Sequence, residues 1–244
     1  MIASPQNEKL KLVRRLRERK HRDREGLFVT EGEDLLAAGL VAGEQPELLL
    51  TAAGTGLGGE EVEPELLGAV SALGSGTRAI AVWRQRWEEV SRPPCVYLHG
   101  VGDPGNVGTI LRTADALLGG SVALGPECAD PFSPKAVRAS MGSIVSAAAV
   151  GTEIAETPAP RAALVAHGGD GPNALATVAT VCLGAERDGL PSAVREQCEV
   201  EVTIPLRTGG AESLNVAAAA AIACERVAST GSISDRSQAS EREP

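Results

Sequence analysis

Five polar residues in three separate segments have side chains suited to holding a polar ligand. They are Asn106, Arg112, Glu186, Ser213 and Asn215. Amide, guanidinium, carboxylate and hydroxyl groups are the ones that orient ligands in clefts. Each also has an ordinary structural interpretation, because exposed arginines are common on surfaces and polar residues commonly begin helices. The elements around them decide which interpretation is preferred.

The first segment, Asp103–Gly108, leads into a predicted helix. Asp103 suits the N-cap position and Pro104 suits the first helical turn. One face of this helix carries the apolar residues Val107, Ile110, Leu111, Ala114, Leu117 and Leu118. Asn106 lies in the first turn, where polar side chains cap. Arg112 points away from the apolar face, so we expect it outside the core.

The second and third segments each follow a predicted strand. The strand ending at Leu183 runs into Gly184, which allows either a tight backbone turn or close approach of a ligand. Glu186 follows, either facing a ligand or standing at the start of a helix. The strand ending at Ile204 continues through a glycine-containing loop to a helix that we expect to begin near Ser213, its natural N-cap. Asn215 is unusual so early in a helix of good helix formers.

Short apolar runs alternate with helices over the second half of the chain, which predicts a mostly parallel sheet covered on both faces. The expected strands are Cys95–His99, Ser121–Leu124, Ala162–Ala166, Val178–Leu183 and Val200–Ile204. The expected helices are Val107–Leu118, Pro134–Met141, Ser192–Gln197 and Ser213–Val227. Ligands of such α/β sheets bind at the carboxyl ends of strands, where the three segments lie.

A smaller α/β domain is expected before this one. Its predicted helices are 7–22, Asp34–Val41 and Pro64–Leu73, and its strands are Leu27–Thr30, Glu47–Thr51 and Arg78–Trp83. The polar stretch that ends in Pro93-Pro94 predicts a linker. The expected organisation is an N-terminal domain at 1–84, a linker at 85–94, an α/β domain at 95–228 and a disordered polar tail at 229–244.

The charge is unevenly distributed. The chain carries a net charge of −9, yet residues 1–24 contain nine Lys or Arg against three acids, so they sum to +6 and the rest to −15. This asymmetry indicates either a basic arm that contacts phosphates or a solvated, charged first helix. Aromatic residues make up only 2% of the chain, so the core must be aliphatic.

Composition also argues against several classes of protein. We find no apolar run long enough to span a membrane and no secretory signal at the start. The five cysteines include no CxxC pair and only three histidines are present, so neither a zinc site nor a disulfide framework is expected. A reducing, cytoplasmic location is the prediction.

Together the three segments resemble the SpoU (TrmH-like) family of RNA 2′-O-ribose methyltransferases, within the SPOUT superfamily. The first motif is GNVGTILRTADA followed by DPFSPKAVRASMGS, the second is LGAERDGL, and the third is IPLRTGGAESLNVAAAAAIACE. The resemblance spans about 95–228 and extends more weakly to the N-terminal part, which resembles the family's small substrate-binding domain. Leu118, Leu206 and Ala217-Ala218 depart from the family's usual residues, which puts the fine shape of the pocket in question.

The resemblance implies an α/β domain with a deep trefoil knot, a homodimer and S-adenosylmethionine (SAM) as methyl donor, with no metal required. Backbone at Gly184, Ile204, Leu206 and Leu214 would hold the adenine and methionine parts of SAM, and Leu183 and Asn215 would also belong to the cofactor site. Arg112, near the other subunit's cofactor, would stabilise the developing alkoxide and grip the adjacent phosphate. Asn106 and Glu186 would position Arg112 and the ribose. Ser213 and Asn215 would shape their loop and contact substrate or cofactor.

The expected substrate is RNA, with 23S rRNA favoured over tRNA and an antibiotic-protection role open. The N-terminal domain would select the RNA, in loops or bulges. Two other interpretations remain: an RNA-binding or ribosome-assembly factor without catalysis, and a Rossmann dinucleotide enzyme. The four intact polar residues Asn106, Arg112, Glu186 and Asn215 argue against the first, and the absent GxGxxG motif argues against the second.

Overall fold

The structure is a computed structural model that describes residues 1–74, 76–89, 91–147 and 149–240. Its helices are α1 Glu8–Arg15, α2 Arg19–Glu25, α3 Glu33–Val41, α4 Pro64–Val70, α5 Pro104–Leu117, α6 Pro134–Ser140, α7 Ser143–Ser146, α8 Ser192–Arg195 and α9 Val216–Ser240. Its strands are β1 Leu27–Glu31, β2 Leu48–Ala52, β3 Glu60–Val62, β4 Ala79–Arg84, β5 Trp87–Glu88, β6 Cys95–Leu98, β7 Ser121–Leu124, β8 Ala149–Gly151, β9 Arg161–Leu164, β10 Thr180–Leu183 and β11 Val200–Val202. Two short 3₁₀ helices, Ile154–Glu156 and Pro172–Thr177, complete the described elements.

The chain forms two compact units. The first comprises Met1–Arg86 and Asp130–Ala147, and the second comprises Trp87–Ala129 and Ala148–Pro244. The first unit therefore includes α6 and α7, which the sequence places within the continuous segment 95–228. The reason is packing: α6 contacts β1, α7 contacts α3, and the rings of Phe28 and Phe132 lie 5.0 Å apart. Pairing of segments so distant in sequence leaves no local signal.

In the first unit, a four-stranded sheet has the order β1-β4-β2-β3. β4 pairs antiparallel with β1 and β2, and β3 pairs parallel with β2. One core cluster fills the space between this sheet and the helices, with Leu10, Val13 and Leu16 from the N-terminal region among its most buried members. Burial of these side chains makes the first residues part of the folded unit.

The helix expected at 7–22 is two helices. α1 ends before Leu16, and α2 ends at Gly26, whose φ of 64° is the left-handed conformation that glycine adopts without strain. The buried guanidinium of Arg22 donates hydrogen bonds to the carbonyl oxygens of Leu16 at 2.9 Å and Arg17 at 2.6 Å. These bonds satisfy two carbonyls of the turn between α1 and α2. A charge pattern alone does not reveal such a tertiary cap.

The second unit contains a seven-stranded sheet of order β11-β9-β10-β6-β7-β8-β5, in which every pairing is parallel. The predicted parallel α/β architecture is confirmed. The strand order changes direction at β6, because β7 and β8 extend to one side of it and β10 and β9 to the other. Such a change of direction is where α/β sheets open a ligand crevice. The trefoil knot stays a prediction, since strand order does not record how the chain threads.

Two predicted irregular segments contain regular structure. Trp87 and Glu88 lie in the expected linker 85–94, yet they pair with β8 as an edge strand of the large sheet. Within the predicted disordered tail, residues 229–240 continue α9, and 241–244 lie outside the described residues. Extending an existing helix costs far less than nucleating one, so polar residues can follow an Ala-rich start. None of the described helices has the length and apolar character that a membrane span needs.

Candidate active site

A cleft of about 440 Å³ opens in the second unit beyond the carboxyl ends of β9, β10 and β11. Most of its lining residues fall within 164–167, 183–190, 202–206 and 212–219, with Arg195 in addition. Its size is that of clefts that bind small molecules. The position agrees with the expectation that the motif segments meet at the carboxyl edge of the sheet.

The predicted site residues divide into those that line this cleft and those beside it. Lining residues are Leu183, Gly184, Glu186, Ile204, Leu206, Ser213 and Leu214. Asn106, Arg112 and Asn215 are not among them. The prediction that Asn215 contacts the cofactor therefore has no support from the lining of the cleft.

Hydrogen bonds join one residue from each of the three motif segments. The side-chain amide nitrogen of Asn106 donates to the carboxylate of Glu186, and the side-chain amide nitrogen of Asn215 donates to the side-chain oxygen of Asn106 at 3.1 Å. These residues are 80 and 109 positions apart in sequence. The fold thus assembles a polar group at the edge of the cleft, and Glu186 belongs to both.

Local structure explains how Asn106 and Asn215 are held. Asp103 caps α5 by accepting from the backbone N–H groups of Gly105 at 2.7 Å and Asn106 at 3.1 Å, as the sequence predicts. α9 begins at Val216, three residues later than expected, and Asn215 is its cap: its side-chain oxygen accepts from Ala217 N at 2.9 Å. The prediction that Ser213 caps this helix is wrong. Asparagine competes well for the cap position, which also accounts for its place beside good helix formers.

Arg112 lies exposed on α5, as the helical periodicity predicts. Within the described part of the chain, its guanidinium makes no hydrogen bond or ion pair. Arg112 is therefore available to a ligand or partner outside this chain.

Leu117 was expected on the buried face of the same helix, but it is 43% exposed, because it is the last residue of the helix.

Gly184 is required by the backbone itself. A Cβ atom built there would lie 2.1 Å from the carbonyl carbon of Gly189 and 2.3 Å from the nitrogen of Leu190. The loop folds back because Gly189 N donates to Ala185 O at 2.9 Å, with Gly189 at a φ of 67°. Of the two roles that the sequence left open for Gly184, tight backbone packing is present in the structure.

The cleft is lined by several charges. Glu186, Asp188 and Glu212 line it, and no ion pair involving them is present among the described residues. Arg195 also lines the cleft, but its guanidinium donates two hydrogen bonds, of 2.8 and 2.9 Å, to the carboxylate of Glu201. This contact raises the pKa of Arg195. Arg187 also lines the cleft, so three carboxylates face one guanidinium that is not held by Glu201, and this excess of carboxylate favours a ligand with positive charge.

Sequence reasoning did not identify one wall of the cleft. Residues Leu164, Val165, Ala166 and His167 line it at the end of β9. The strand itself was predicted, but its place beside β10 depends on a strand order that no local pattern encodes. Because β9 runs parallel to β10, the two strands end at the same edge of the sheet. Ligands of α/β sheets bind at the carboxyl ends of the strands, so this wall could have been predicted if the strand order had been known.

The basic residues of 1–24 do not form a free arm. Arg22 is buried and pairs with Asp130 at 2.6 Å, while Lys9, Lys11, Arg19, Lys20 and Arg24 each pair with a carboxylate. Arg17 donates to the Val70 carbonyl at 2.7 Å. The alternative of a charged, folded helix is the one the structure contains. Exposed members such as Arg19 and Lys20 still face solvent.

Comparison with known proteins identifies the family. Residues 93–225 match the SpoU rRNA Methylase family, and residues 7–93 match an MRM3-like substrate binding domain. The chain belongs to the SpoU rRNA methylase family. The resemblance found in the three motifs is thereby confirmed.

The relatives of this chain include two proteins named as 23S rRNA 2′-O-methyltransferases. The 23S rRNA (guanosine(2553)-2′-O)-methyltransferase RlmP of Bacillus subtilis is 30% identical over 91% of this chain and 96% of its own length. The 23S rRNA (uridine(2479)-2′-O)-methyltransferase of Streptomyces viridochromogenes is 38% identical over 51% of this chain and 48% of its own. An AdoMet-bound rRNA methyltransferase from Sinorhizobium meliloti is 28% identical, with a TM-score of 0.80 over 93% of this chain and 96% of that one.

Proposed function

We propose that this chain transfers a methyl group from SAM to a ribose 2′-hydroxyl of RNA, with 23S rRNA as the substrate. The observation that carries the proposal is the hydrogen-bonded group Asn106, Glu186 and Asn215, which joins the three family motifs beside one cleft. Relatives of known specificity methylate 23S rRNA, which favours rRNA over tRNA.

The cleft fits SAM in size, charge and apolar character. SAM supplies an electrophilic methyl on a sulfonium, and its positive charges suit the carboxylates of Glu186, Asp188 and Glu212. Leu206 and Leu214 line the cleft yet remain 37% and 39% exposed, so a bound adenine would cover them favourably. Backbone at Leu183, Gly184, Ile204, Leu206 and Leu214 would hold the nucleoside and methionine parts.

Arg112 is the residue proposed to act on the ribose oxygen. A 2′-hydroxyl is a very weak acid, so the oxygen that attacks the methyl must be stabilised as it loses its proton. An arginine does not readily accept that proton, since its pKa exceeds about 12. Its guanidinium instead stabilises the developing negative charge and binds the adjacent phosphate. Asn106 and Glu186 orient the ribose, and the Ser213 loop with Asn215 shapes the approach.

The active form is proposed to be a knotted homodimer in the cytoplasm. Arg112 does not line the cleft of its own chain, which is the arrangement expected if it serves a partner's cleft. α5 and α9 pack together, and each leaves a large apolar side chain exposed: Leu117 at 43% and Ile222 at 37%. A second copy would bury these side chains. The N-terminal unit would select the RNA.

Methyl transfer itself tests the proposal. Purified protein is incubated with SAM tritiated in the methyl group and with 23S rRNA or tRNA, and the 2′-O-methylated nucleotide is mapped. Label in 23S rRNA at a ribose is expected. Label in tRNA alone would overturn the assignment of substrate, and binding of RNA with no transfer to any RNA would indicate a silent assembly factor.

Arg112→Ala separates chemistry from cofactor binding. The variant is expected to lose transfer by about 10²–10³-fold, the scale of one lost charge-stabilising group. Its affinity for SAM, measured by calorimetry, is expected to stay within a few-fold of the parent, and NAD is expected not to bind. Loss of SAM binding together with transfer would show that Arg112 belongs to the cofactor cleft instead.

A further inference from the structure

A short closed loop after β10 brings three charged residues to the cleft. Gly189 N donates to Ala185 O at 2.9 Å, and the two residues pair as an antiparallel bridge. Glu186, Arg187 and Asp188 form the tip of this loop, and all three are exposed and line the cleft. The bridge closes the base of the loop, so the three charged residues stay together in the lining.

The guanidinium of Arg187 has no partner among the described residues. Although a carboxylate residue precedes it and another follows it in sequence, it forms no ion pair or hydrogen bond with either of them. The other arginine of the described lining, Arg195, is held by Glu201 through hydrogen bonds of 2.8 and 2.9 Å. Of these two arginines, Arg187 is therefore the one whose guanidinium is available to an anionic group of a ligand.

We propose that Arg187 binds the α-carboxylate of SAM and so recognises the amino-acid end of the methyl donor. A guanidinium donates two parallel hydrogen bonds to one carboxylate, and such charge-assisted pairs are stronger than hydrogen bonds between neutral groups. Arg187 then acts in binding, because the carboxylate lies at the far end of the methionine part from the sulfonium. The inference rests on the proposed function, since it takes SAM as the ligand.

The charges around Arg187 match this zwitterionic end of SAM. The end carries an ammonium next to its carboxylate, and the sulfonium adds a second positive charge. Glu186, Asp188 and Glu212 line the same cleft and attract the two positive groups, while Arg187 attracts the negative one. An RNA phosphate carries negative charge alone, so the same three carboxylates disfavour it at this place. The lining therefore favours the carboxylate of SAM over the RNA backbone as the partner of Arg187.

Removing the carboxylate from the ligand tests the contact. Calorimetry measures the affinity of the full chain and of its Arg187→Gln variant for SAM and for decarboxylated SAM, which keeps the ammonium and the sulfonium. Arg187→Gln is expected to bind SAM about 10-fold or more weakly, the scale of one lost hydrogen bond to a charged group. Its affinity for decarboxylated SAM is expected to equal or exceed that of the parent, which also shows that the variant is folded.

Arg207 supplies a matched control, because it is exposed and lies outside the lining of the cleft. Arg207→Gln is expected to bind both ligands as the parent does. Equal losses of both ligands in Arg187→Gln would overturn the inference, and so would an unchanged affinity for SAM. Unchanged SAM affinity with weaker binding of 23S rRNA would assign Arg187 to an RNA phosphate instead. In each of these cases SAM binding by the parent leaves the proposed function intact, whereas a parent that binds no SAM removes the proposed function and this inference with it.

Discussion

Charged side chains serve different ends in the two units. In the first unit, Arg22 is buried against Asp130 and caps the carbonyls that follow α1. In the second, the carboxylates that line the cleft have no cationic partner among the described residues. Paired charge holds the fold in the first unit, and unpaired charge is available to a ligand in the second. Cations are densest along the sequence at the start of the first unit. The carboxylates that lack a cationic partner among the described residues, however, line the cleft of the second unit.

Breaking the buried ion pair should give the largest effect. Asp130→Ala leaves the Arg22 guanidinium buried without its counter-charge, which costs about 3–5 kcal/mol of stability in such pairs. Chemical denaturation measures the loss. Glu8→Ala, which breaks the exposed pair with Lys11, is the matched control and should leave the midpoint nearly unchanged. Equal effects of the two variants would mean that burial does not make the Arg22–Asp130 pair more important for stability than an exposed pair of the same unit.

A smaller effect is expected at the backbone of the cleft. Gly184→Ala forces a Cβ to within 2.1 Å of backbone at Gly189, so the loop must shift. SAM affinity should fall at least about 10-fold, or ~1.4 kcal/mol. Gly171→Ala is the control, since a Cβ there meets nothing within 4 Å. Unchanged affinity in Gly184→Ala would show that the loop does not hold the ligand.

The two roles of Asn215 can be separated by paired variants. Asn215→Ala removes both the cap of α9 and the bond to Asn106, and loss of a cap costs about 1 kcal/mol. Asn215→Asp keeps an oxygen for the cap but loses the amide that donates to Asn106. Stability should recover in Asn215→Asp while methyl transfer stays reduced by about 10-fold. Full transfer by the Asp variant would make Asn215 a structural cap only.

The smallest expected effect concerns the exposed cations of the first unit. Arg19 and Lys20 are 67% and 71% exposed, and their partners are exposed acids. Replacing both by Gln should weaken RNA binding slightly and make it less dependent on salt, by about one unit of slope for each phosphate that is no longer neutralised. Arg84→Gln is the control, because Arg84 is 70% exposed in a pair with Glu47. An identical slope in all three proteins would exclude these cations from the interface.

Deleting residues 1–24 would not isolate this electrostatic effect. Leu10, Val13 and Leu16 are each at most 1% exposed in the core of the first unit. Removing them would cost core packing along with charge, since each large buried aliphatic contributes about 2–5 kcal/mol. Single charge changes are therefore the better measure of RNA contact.

Elements with a strong local pattern were predictable. α5, β7 and β10 follow from apolar periodicity, and the cap at Asp103 follows from a side chain that bonds its own helix. Elements that depend on distant partners were not. β5 and β8 are two and three residues long, and they exist as strands because they pair with each other and, for β8, with β7.

The sequence by itself determined the family, the three motif segments and the parallel α/β architecture, because residue types and their spacing are local properties. Tertiary structure alone decided that Asn106, Glu186 and Asn215 bond to one another and that a wall after β9 completes the cleft. It also decided that the N-terminal cations are largely neutralised by partners. Those outcomes depend on strand order and on contacts across 80 or more residues, which no short window of sequence contains.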